Sequence, residues 1–245
     1  MAAPRPLEGP AFYALRPGGW RDLITLLHPP YTAWHLSYVA IGAAVAPKLY
    51  ADRVAAALVA FFLAVGICAH ALDELHGRPL GTRLSDRWLV GLAVVSLAGA
   101  VAIGIVGAVT VSLTLVPLVA LGAFIVVAYN LELFGGRFHS DLWFAAAWGA
   151  FPALTGYFVN ALTLRAEGVL VAAACFLLSV AQRRLSTPAR ELRRRTVWVS
   201  GQQQLVDGRL IELDAARLAA PLDGALRACA AAVVLLAVGL LITRL

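Results

Sequence analysis

Seven apolar stretches, each about long enough to cross a bilayer, constrain the fold of this chain more than any other feature. They cover about residues 31–47, 54–73, 88–107, 109–129, 142–162, 167–183 and 223–243. A transmembrane helix needs about 20 mainly apolar residues, because the hydrocarbon core is about 30 Å thick and a buried backbone must be hydrogen-bonded internally. The sequence therefore predicts an all-α, polytopic membrane helical bundle of about seven transmembrane helices.

The composition supports this interpretation. The chain is 61% hydrophobic and only 14% charged, whereas soluble domains are typically about 45–50% apolar and about 25% charged. A water-soluble fold of this length has too little interior to bury so much apolar surface. Small residues are frequent inside the spans, as in GAVAIGIVGAV, which favours close packing of helices over isolated anchors.

The basic residues predict the orientation. If the N-terminus is cytoplasmic, 16 of the 20 Lys and Arg residues fall in inside segments and 4 in outside segments. The positive-inside rule then predicts a cytoplasmic N-terminus and a C-terminus on the opposite side. Because these residues flank apolar runs and form no stripe on a soluble domain, we expect the lipid bilayer as a partner and no nucleic acid.

The spans divide the chain into four parts. We predict a cytoplasmic N-terminal arm (1–30), a six-helix membrane core (31–183), a basic cytoplasmic loop (184–222) and a seventh transmembrane helix (223–245). Asp207 and Gly208 between β-prone runs suggest a hairpin in the loop. The chain has no GxxxxGK[ST] motif and no GxGxxG motif after a strand, so a nucleotide-binding domain is not expected.

A first polar cluster, AHALDELHGRPLGTRLSD, spans residues 69–86 at the end of the second apolar stretch. On a helix, His70, Asp73 and Glu74 share one face, with His76 close behind. Carboxylates suit Mg²⁺, and added imidazoles suit Zn, Fe or Mn. The alternative is a solvated helix end, although His70 lies within the apolar run FFLAVGICAHAL and favours a site.

A second cluster, YNLELFGGRFHSD, spans residues 129–141 on the same predicted membrane face. It carries polar and ionisable side chains: Tyr129, Asn130, Glu132, Arg137, His139 and Asp141. The alternative is an ordinary short loop with Tyr129 in the interfacial aromatic belt. At this face, His28 precedes the first span and His35 lies near its start. The basic run from Arg190 to Arg195 either determines orientation or binds phosphate groups, which match the guanidinium fork.

Three segments carry a resemblance to a known family. HPPYTAWHLSYVAIGAAVAP resembles the first span of the UbiA superfamily of intramembrane prenyltransferases. DELHGRPLGTRLS resembles that family's first acidic motif with its following turn, and YNLELFGGRFHSDLWFAAAWGAFPALTGYF resembles its fourth-to-fifth-span signature. The resemblance covers about residues 25–183 and implies a UbiA-like bundle with a lateral opening to lipid and a cytoplasmic polar pocket.

The resemblance also implies an activity, in which a prenyl group moves from a prenyl diphosphate to a lipophilic acceptor with the help of Mg²⁺. The candidate catalytic residues are Asp73, Glu74, Tyr129 and Glu132. The candidate substrate-binding residues are Arg78, Arg83, Asn130, Arg137 and Arg190. The candidate metal ligands are His70, Asp73, Glu74, His76 and His139. By position, Asp73 matches a motif-one metal ligand and Tyr129 the family tyrosine.

The chain departs from the family pattern after the sixth span. A second acidic motif belongs there, but the segment reads SVAQRRLSTPARELRRR and its acidic residue is Glu191. A diphosphate would then depend on the arginines of this segment, which are Arg183, Arg184, Arg190 and Arg193–Arg195.

Two further functions remain open from the sequence. In one, a membrane metalloenzyme acts on a lipid or isoprenoid with Fe, Zn or Mn, held by imidazoles and carboxylates: His35, His70, His76, His139, Asp73, Glu74, Glu132 and Asp141. In the other, the chain is a lipid- or quinone-binding protein, a small transporter or an assembly factor. Both catalytic hypotheses require the two polar clusters to meet in one pocket near the inner leaflet.

Overall fold

The computed structural model describes residue 7 and residues 9–244, so the predicted N-terminal arm is described in part and Arg5 lies outside the described residues. Most of the chain is helical: α1 (Trp20–Leu26), α2 (Pro29–Val45), α3 (Ala51–Leu75), α4 (Asp86–Thr110), α5 (Leu113–Asn130), α6 (Asp141–Ala161), α7 (Ala166–Arg194) and α8 (Ala215–Ile242). α5 begins with a 3₁₀ turn, Leu113–Leu115, and a short irregular turn, Leu133–Gly136, follows it. Each predicted span lies mainly on one of these helices, although the fourth, 109–129, begins within the last two residues of α4.

Within the described residues, six helices are long and apolar enough to cross a membrane: α3, α4, α5, α6, α7 and α8. The first predicted span is α2, which has 17 residues and is about 26 Å long at 1.5 Å per residue. Most of α2 is buried, including Trp34 and Tyr38. Because other helices surround α2, it needs no apolar face toward lipid, which explains why it is the least apolar of the predicted spans.

Two glycines let α2 and α6 cross at very short distance. A Cβ atom at Gly42 would lie 1.9 Å from the carbonyl oxygen of Ala153, and a Cβ at Gly156 would lie 2.0 Å from that of Val39. Membrane helices associate through such small residues, since lipid supplies no hydrophobic drive for their association. The crossing therefore requires glycine at both positions.

The outward faces of the peripheral helices are apolar. Val95 and Val109 of α4 and Leu235 and Ile242 of α8 each expose about two thirds or more of their surface. Aliphatic side chains on the outside of a bundle match a hydrocarbon solvent.

Two π-helical segments interrupt the regular helices. Phe62–Ala69 lies within α3 and Ala146–Ala150 within α6. Such segments occur frequently at functional sites. Both face the interior of the bundle, where Cys68, Ala69 and Trp148 belong to one buried cluster.

The sixth predicted span ends at residue 183, but α7 continues to Arg194. The extension is amphipathic, with Gln182, Ser186 and Ala189 buried, so the predicted loop of 184–222 begins as a helix. Beyond it, β1 (Gly201–Gln204) pairs antiparallel with β2 (Leu210–Leu213) around the turn at Asp207 and Gly208. Gly208 has a φ of +83°, a left-handed conformation that glycine adopts without strain.

Candidate functional site

A cavity of about 460 Å³ lies at the end of the bundle where the two polar clusters meet. All five histidines, which the structure describes, line it: His28, His35, His70, His76 and His139. Asp73 contributes from the first cluster, and Tyr129, Asn130 and Glu132 contribute from the second. The structure thus brings together residues that lie about 60 positions apart in the sequence.

The end of α3 supplies His70 and Asp73. His70 follows directly after the π-helical segment, and its Nδ1 lies 3.1 Å from the carbonyl oxygen of Gly66. Asp73 lies one turn further on, with its side chain at the cavity wall.

Glu74 does not line the cavity, where the predicted metal ligand would have to lie. Its side chain is fully buried outside the cavity, and its two carboxylate oxygens accept hydrogen bonds from the backbone N–H groups of Leu80 and Thr82 at 2.9 and 2.8 Å. The Thr82 hydroxyl donates a third bond at 2.9 Å. Glu74 therefore holds the loop after α3 in place, because that loop folds back over the helix end.

The second cluster is organised around Tyr129. Its ring lies 4.5 Å from the ring of His139 and 4.5 Å from the ring of Trp148, measured between centroids. The Asn130 amide donates to the Val126 carbonyl oxygen at 2.7 Å, and Glu132 lies 3.9 Å from His139 Nδ1. Together these residues form an aromatic wall with carboxylate and imidazole groups at its rim.

Three predicted substrate-binding arginines do not line the cavity. Arg78 pairs with Asp86 and donates to a loop carbonyl, Arg83 is exposed and donates its backbone N–H to Asp22, and Arg137 is exposed. Asp141 also faces outward and pairs with Arg183 at 2.7 Å. Arg78 and Asp22 therefore stabilise the loop that Glu74 caps.

The extension of α7 provides the cationic wall of the cavity. Arg183, Arg190 and Arg194 are spaced by seven and four residues, so they share one helical face. They line the cavity with Arg193 and Arg195. Arg193 also forms a buried ion pair with Asp223 of α8, which ties the two helices together beside the cavity.

The N-terminal arm closes the cavity from outside the bundle. Arg194 Nε donates to the carbonyl oxygen of Pro10 at 3.1 Å, and Arg227 lies over the Phe12 ring. The Tyr13 ring packs 5.3 Å from that of His28. Burial raises the pKa of Tyr13 well above its ordinary value, so this phenol stays neutral.

Several buried polar atoms of the cavity have no hydrogen-bond partner among the described residues. They are His28 Nε2, Gln182 Oε1 and Asp223 Oδ1. Buried polar groups are nearly always hydrogen-bonded in folded proteins, so these atoms indicate that the cavity holds water or a polar ligand.

The described side chains form no complete protein cage for a metal ion. Within the part of the chain that the structure describes, no three His, Cys, Asp or Glu side chains lie close enough together to hold one. The rings of His28 and His70 are nearly parallel, with an interplanar angle of 14°, so their in-plane lone pairs do not converge. Because Mg²⁺ is often held by one or two carboxylates together with substrate phosphates, the predicted Mg²⁺ stays a prediction, as does the alternative Fe, Zn or Mn.

A second cavity, of about 520 Å³, adjoins the first and is apolar. Mostly apolar residues of α3, α4, α5 and α6 line it, from Asp52 at the start of α3 to Val65 in its π-helical segment. Trp148 lines both cavities. Trp148 therefore lies between a cationic cavity and an apolar one.

Several cavity residues were not among the predicted site residues: Tyr13, Tyr31, Trp148, Gln182 and Asp223. The arginine spacing along α7 was a usable signal, because positions 183, 190 and 194 repeat as the face of a helix. The arm residues gave no such signal, since their contacts depend on the tertiary fold.

Comparisons of the chain with protein-family models, with curated proteins and with solved structures gave no match.

Proposed function

We propose that this chain is a UbiA-like intramembrane enzyme that transfers a prenyl group from a prenyl diphosphate to a lipophilic acceptor. The diphosphate binds in the cationic cavity and the isoprenoid chain occupies the apolar one. With the N-terminus in the cytoplasm, as the distribution of basic residues predicts, the cationic cavity lies on the cytoplasmic side of the bundle.

The observation that carries the proposal is the shared wall at Trp148, where a cationic cavity and an apolar cavity meet. An amphiphile with an anionic head and a branched hydrocarbon chain matches both compartments at once. A free phosphate would leave the apolar cavity without an occupant, and a neutral lipid would leave the arginines without a counterion.

The arginines of α7 suit a diphosphate in chemistry as well as in charge. A guanidinium group donates two parallel hydrogen bonds to phosphate oxygens and stays charged at any physiological pH. In the transfer step negative charge develops on the departing diphosphate, and fixed cations beside it stabilise that charge. Aromatic side chains, Tyr129 and Trp148, lie where the allylic carbon would sit and offer their faces to its developing positive charge.

The first test is binding of radiolabelled geranylgeranyl diphosphate to the purified protein in lipid nanodiscs, without added metal. The double variant Arg190→Gln/Arg194→Gln is expected to weaken binding by at least about 150-fold, because each charged hydrogen bond contributes about 1.5–3 kcal/mol. Arg209→Gln is the matched control, since Arg209 lies in the exposed hairpin and pairs with Asp207.

The second test is release of inorganic diphosphate with a panel of acceptors: a long-chain alcohol, a hydroxylated aromatic acid and a quinol. Turnover that depends on Arg190 and Arg194 supports the enzyme. Tight binding without turnover on any acceptor supports the lipid-binding alternative instead, and failure to bind the prenyl diphosphate overturns the proposal.

A further inference from the structure

Three of the described histidines present the same ring nitrogen to a backbone carbonyl. His35 Nδ1 lies 2.8 Å from the Trp148 oxygen, His70 Nδ1 lies 3.1 Å from the Gly66 oxygen, and His139 Nδ1 lies 3.1 Å from the Tyr129 oxygen. A carbonyl oxygen only accepts hydrogen bonds, so each Nδ1 carries the proton. In the neutral form of each ring, Nε2 then has a free lone pair.

His35 is the member of this set at the boundary between the two cavities. Its hydrogen bond runs to Trp148, the residue that lines both. Edge contacts fix the ring, with centroid distances of 5.8 Å to Phe144 and 6.1 Å to Tyr38. His35 is 3% exposed, and no described residue forms a hydrogen bond with its Nε2.

We propose that His35 Nε2 is the proton acceptor of the transfer reaction, an inference that rests on the proposed function. The acceptor's O–H or aromatic C–H group forms a bond to the first carbon of the prenyl chain. The bond from that carbon to the diphosphate oxygen breaks, and its electron pair stays on the diphosphate. The acceptor's proton moves to His35 Nε2, and the resulting imidazolium returns it to water as the products leave.

The position of His35 favours it over the carboxylates of the cavity. Asp73 and Glu132 line the cationic cavity as His35 does, but neither forms a hydrogen bond to Trp148 among the described residues. The reacting carbon lies at the Trp148 boundary, because it joins the headgroup to the chain. A general base must be within hydrogen-bond reach of the proton that it removes, and the hydrogen bond to Trp148 holds His35 at that boundary.

The kinetic test uses His35→Gln, which keeps an N–H donor for the Trp148 carbonyl and loses the basic nitrogen. The turnover rate is expected to fall by about 10²- to 10⁴-fold, the usual contribution of a general base, with unchanged affinity for geranylgeranyl diphosphate. Ser96→Ala is the control, because Ser96 is buried in α4 and bonds the Leu92 carbonyl outside both cavities. Exogenous imidazole is expected to restore part of the turnover of His35→Ala.

A second measurement does not depend on turnover. Protein labelled with ¹⁵N-histidine is expected to show, at pH 7.5, a His35 ring in the Nδ1–H form, assigned by its loss in His35→Gln. A resonance of the Nε2–H form overturns the inference, as does full turnover in His35→Gln, and both leave the proposed function intact. Absence of prenyl diphosphate binding by the wild-type chain overturns the proposed function and this inference together.

Discussion

The imidazole rings of His28 and His70 stack with their centroids 4.0 Å apart. This contact joins the residue that precedes α2 to the end of the π-helical segment in α3, in the wall of the cationic cavity. His28 has a left-handed backbone with a φ of +45°, which turns the chain from the arm into α2. Burial, and then the neighbouring His70, lower the pKa of His28 well below its ordinary value.

The lowered pKa of His28 predicts that the protein loses stability in acid. The unfolded chain takes up a proton at this histidine below about pH 6.5, while folded His28 does not. The free energy of unfolding is therefore highest above that pH and decreases as the pH falls. The slope is up to about 1.4 kcal/mol per pH unit. Besides His70, the groups that face His28 are Arg194, Arg190, His35, Tyr13 and Tyr31.

The measurement is thermal unfolding between pH 7.5 and pH 5.0 for the wild type and for His28→Asn, since asparagine tolerates the left-handed backbone. The variant's midpoint temperature is expected to fall less than that of the wild type over this range. Equal falls would contradict the assignment.

Glu74 is expected to contribute to stability and not to ligand binding. Glu74→Ala leaves the backbone N–H groups of Leu80 and Thr82 buried without an acceptor, which costs about 2–4 kcal/mol. Chemical denaturation measures this loss, and binding of geranylgeranyl diphosphate at a temperature where the variant is folded is expected to remain within about threefold. A stable Glu74→Ala that cannot bind the ligand would show instead that Glu74 belongs to the site.

The α2–α6 crossing predicts a steep requirement for glycine. Gly156→Val places a side chain against the Val39 carbonyl and is expected to destabilise the bundle by about 3 kcal/mol, at the upper end of typical overpacking costs. Gly91→Ala in α4 is the control, because a Cβ there meets nothing within 4 Å, and it should stabilise the helix by about 0.5–1 kcal/mol. If the two substitutions shifted the unfolding midpoint equally, the close crossing would be contradicted.

Trp148 is expected to contribute to binding of the hydrocarbon chain more than of the diphosphate. Trp148→Phe removes part of the indole surface, and we expect about 1 kcal/mol, or roughly fivefold in Kd, to be lost for geranylgeranyl diphosphate. The affinity for inorganic diphosphate should not change. Trp143→Phe, which alters a tryptophan outside both cavities, serves as the control, and an equal effect on both ligands would count against the shared wall.

The sequence predicts the helices well because each apolar stretch is long and its length has a direct physical meaning. It also predicts that the residues around His70 and Tyr129 lie at one end of the bundle, since both follow the end of an even-numbered span. The end of α7 was predicted at residue 183, but an amphipathic helix on a cavity has no need of a continuous apolar run.

The role of Glu74 could not be predicted from the sequence. Its spacing from His70 and Asp73 places the three residues on one helical face. The loop from Gly77 to Ser85 nevertheless folds back, and of these three residues its N–H groups donate hydrogen bonds to Glu74. The path of that loop depends on Asp22 and Arg78, whose contacts are tertiary. The arm's contacts with Arg194 could not be predicted for the same reason.

Photo-crosslinking shows whether one amphiphile occupies both cavities. A geranylgeranyl diphosphate analogue with a diazirine at the far end of its chain is bound in nanodiscs, irradiated and mapped by mass spectrometry. We predict labelling of the apolar cavity, at residues such as Ala100 and Ala123, that unlabelled geranylgeranyl diphosphate suppresses and geranylgeraniol does not. Labelling confined to the outward face of α8, or unaffected by the competitor, would contradict the account.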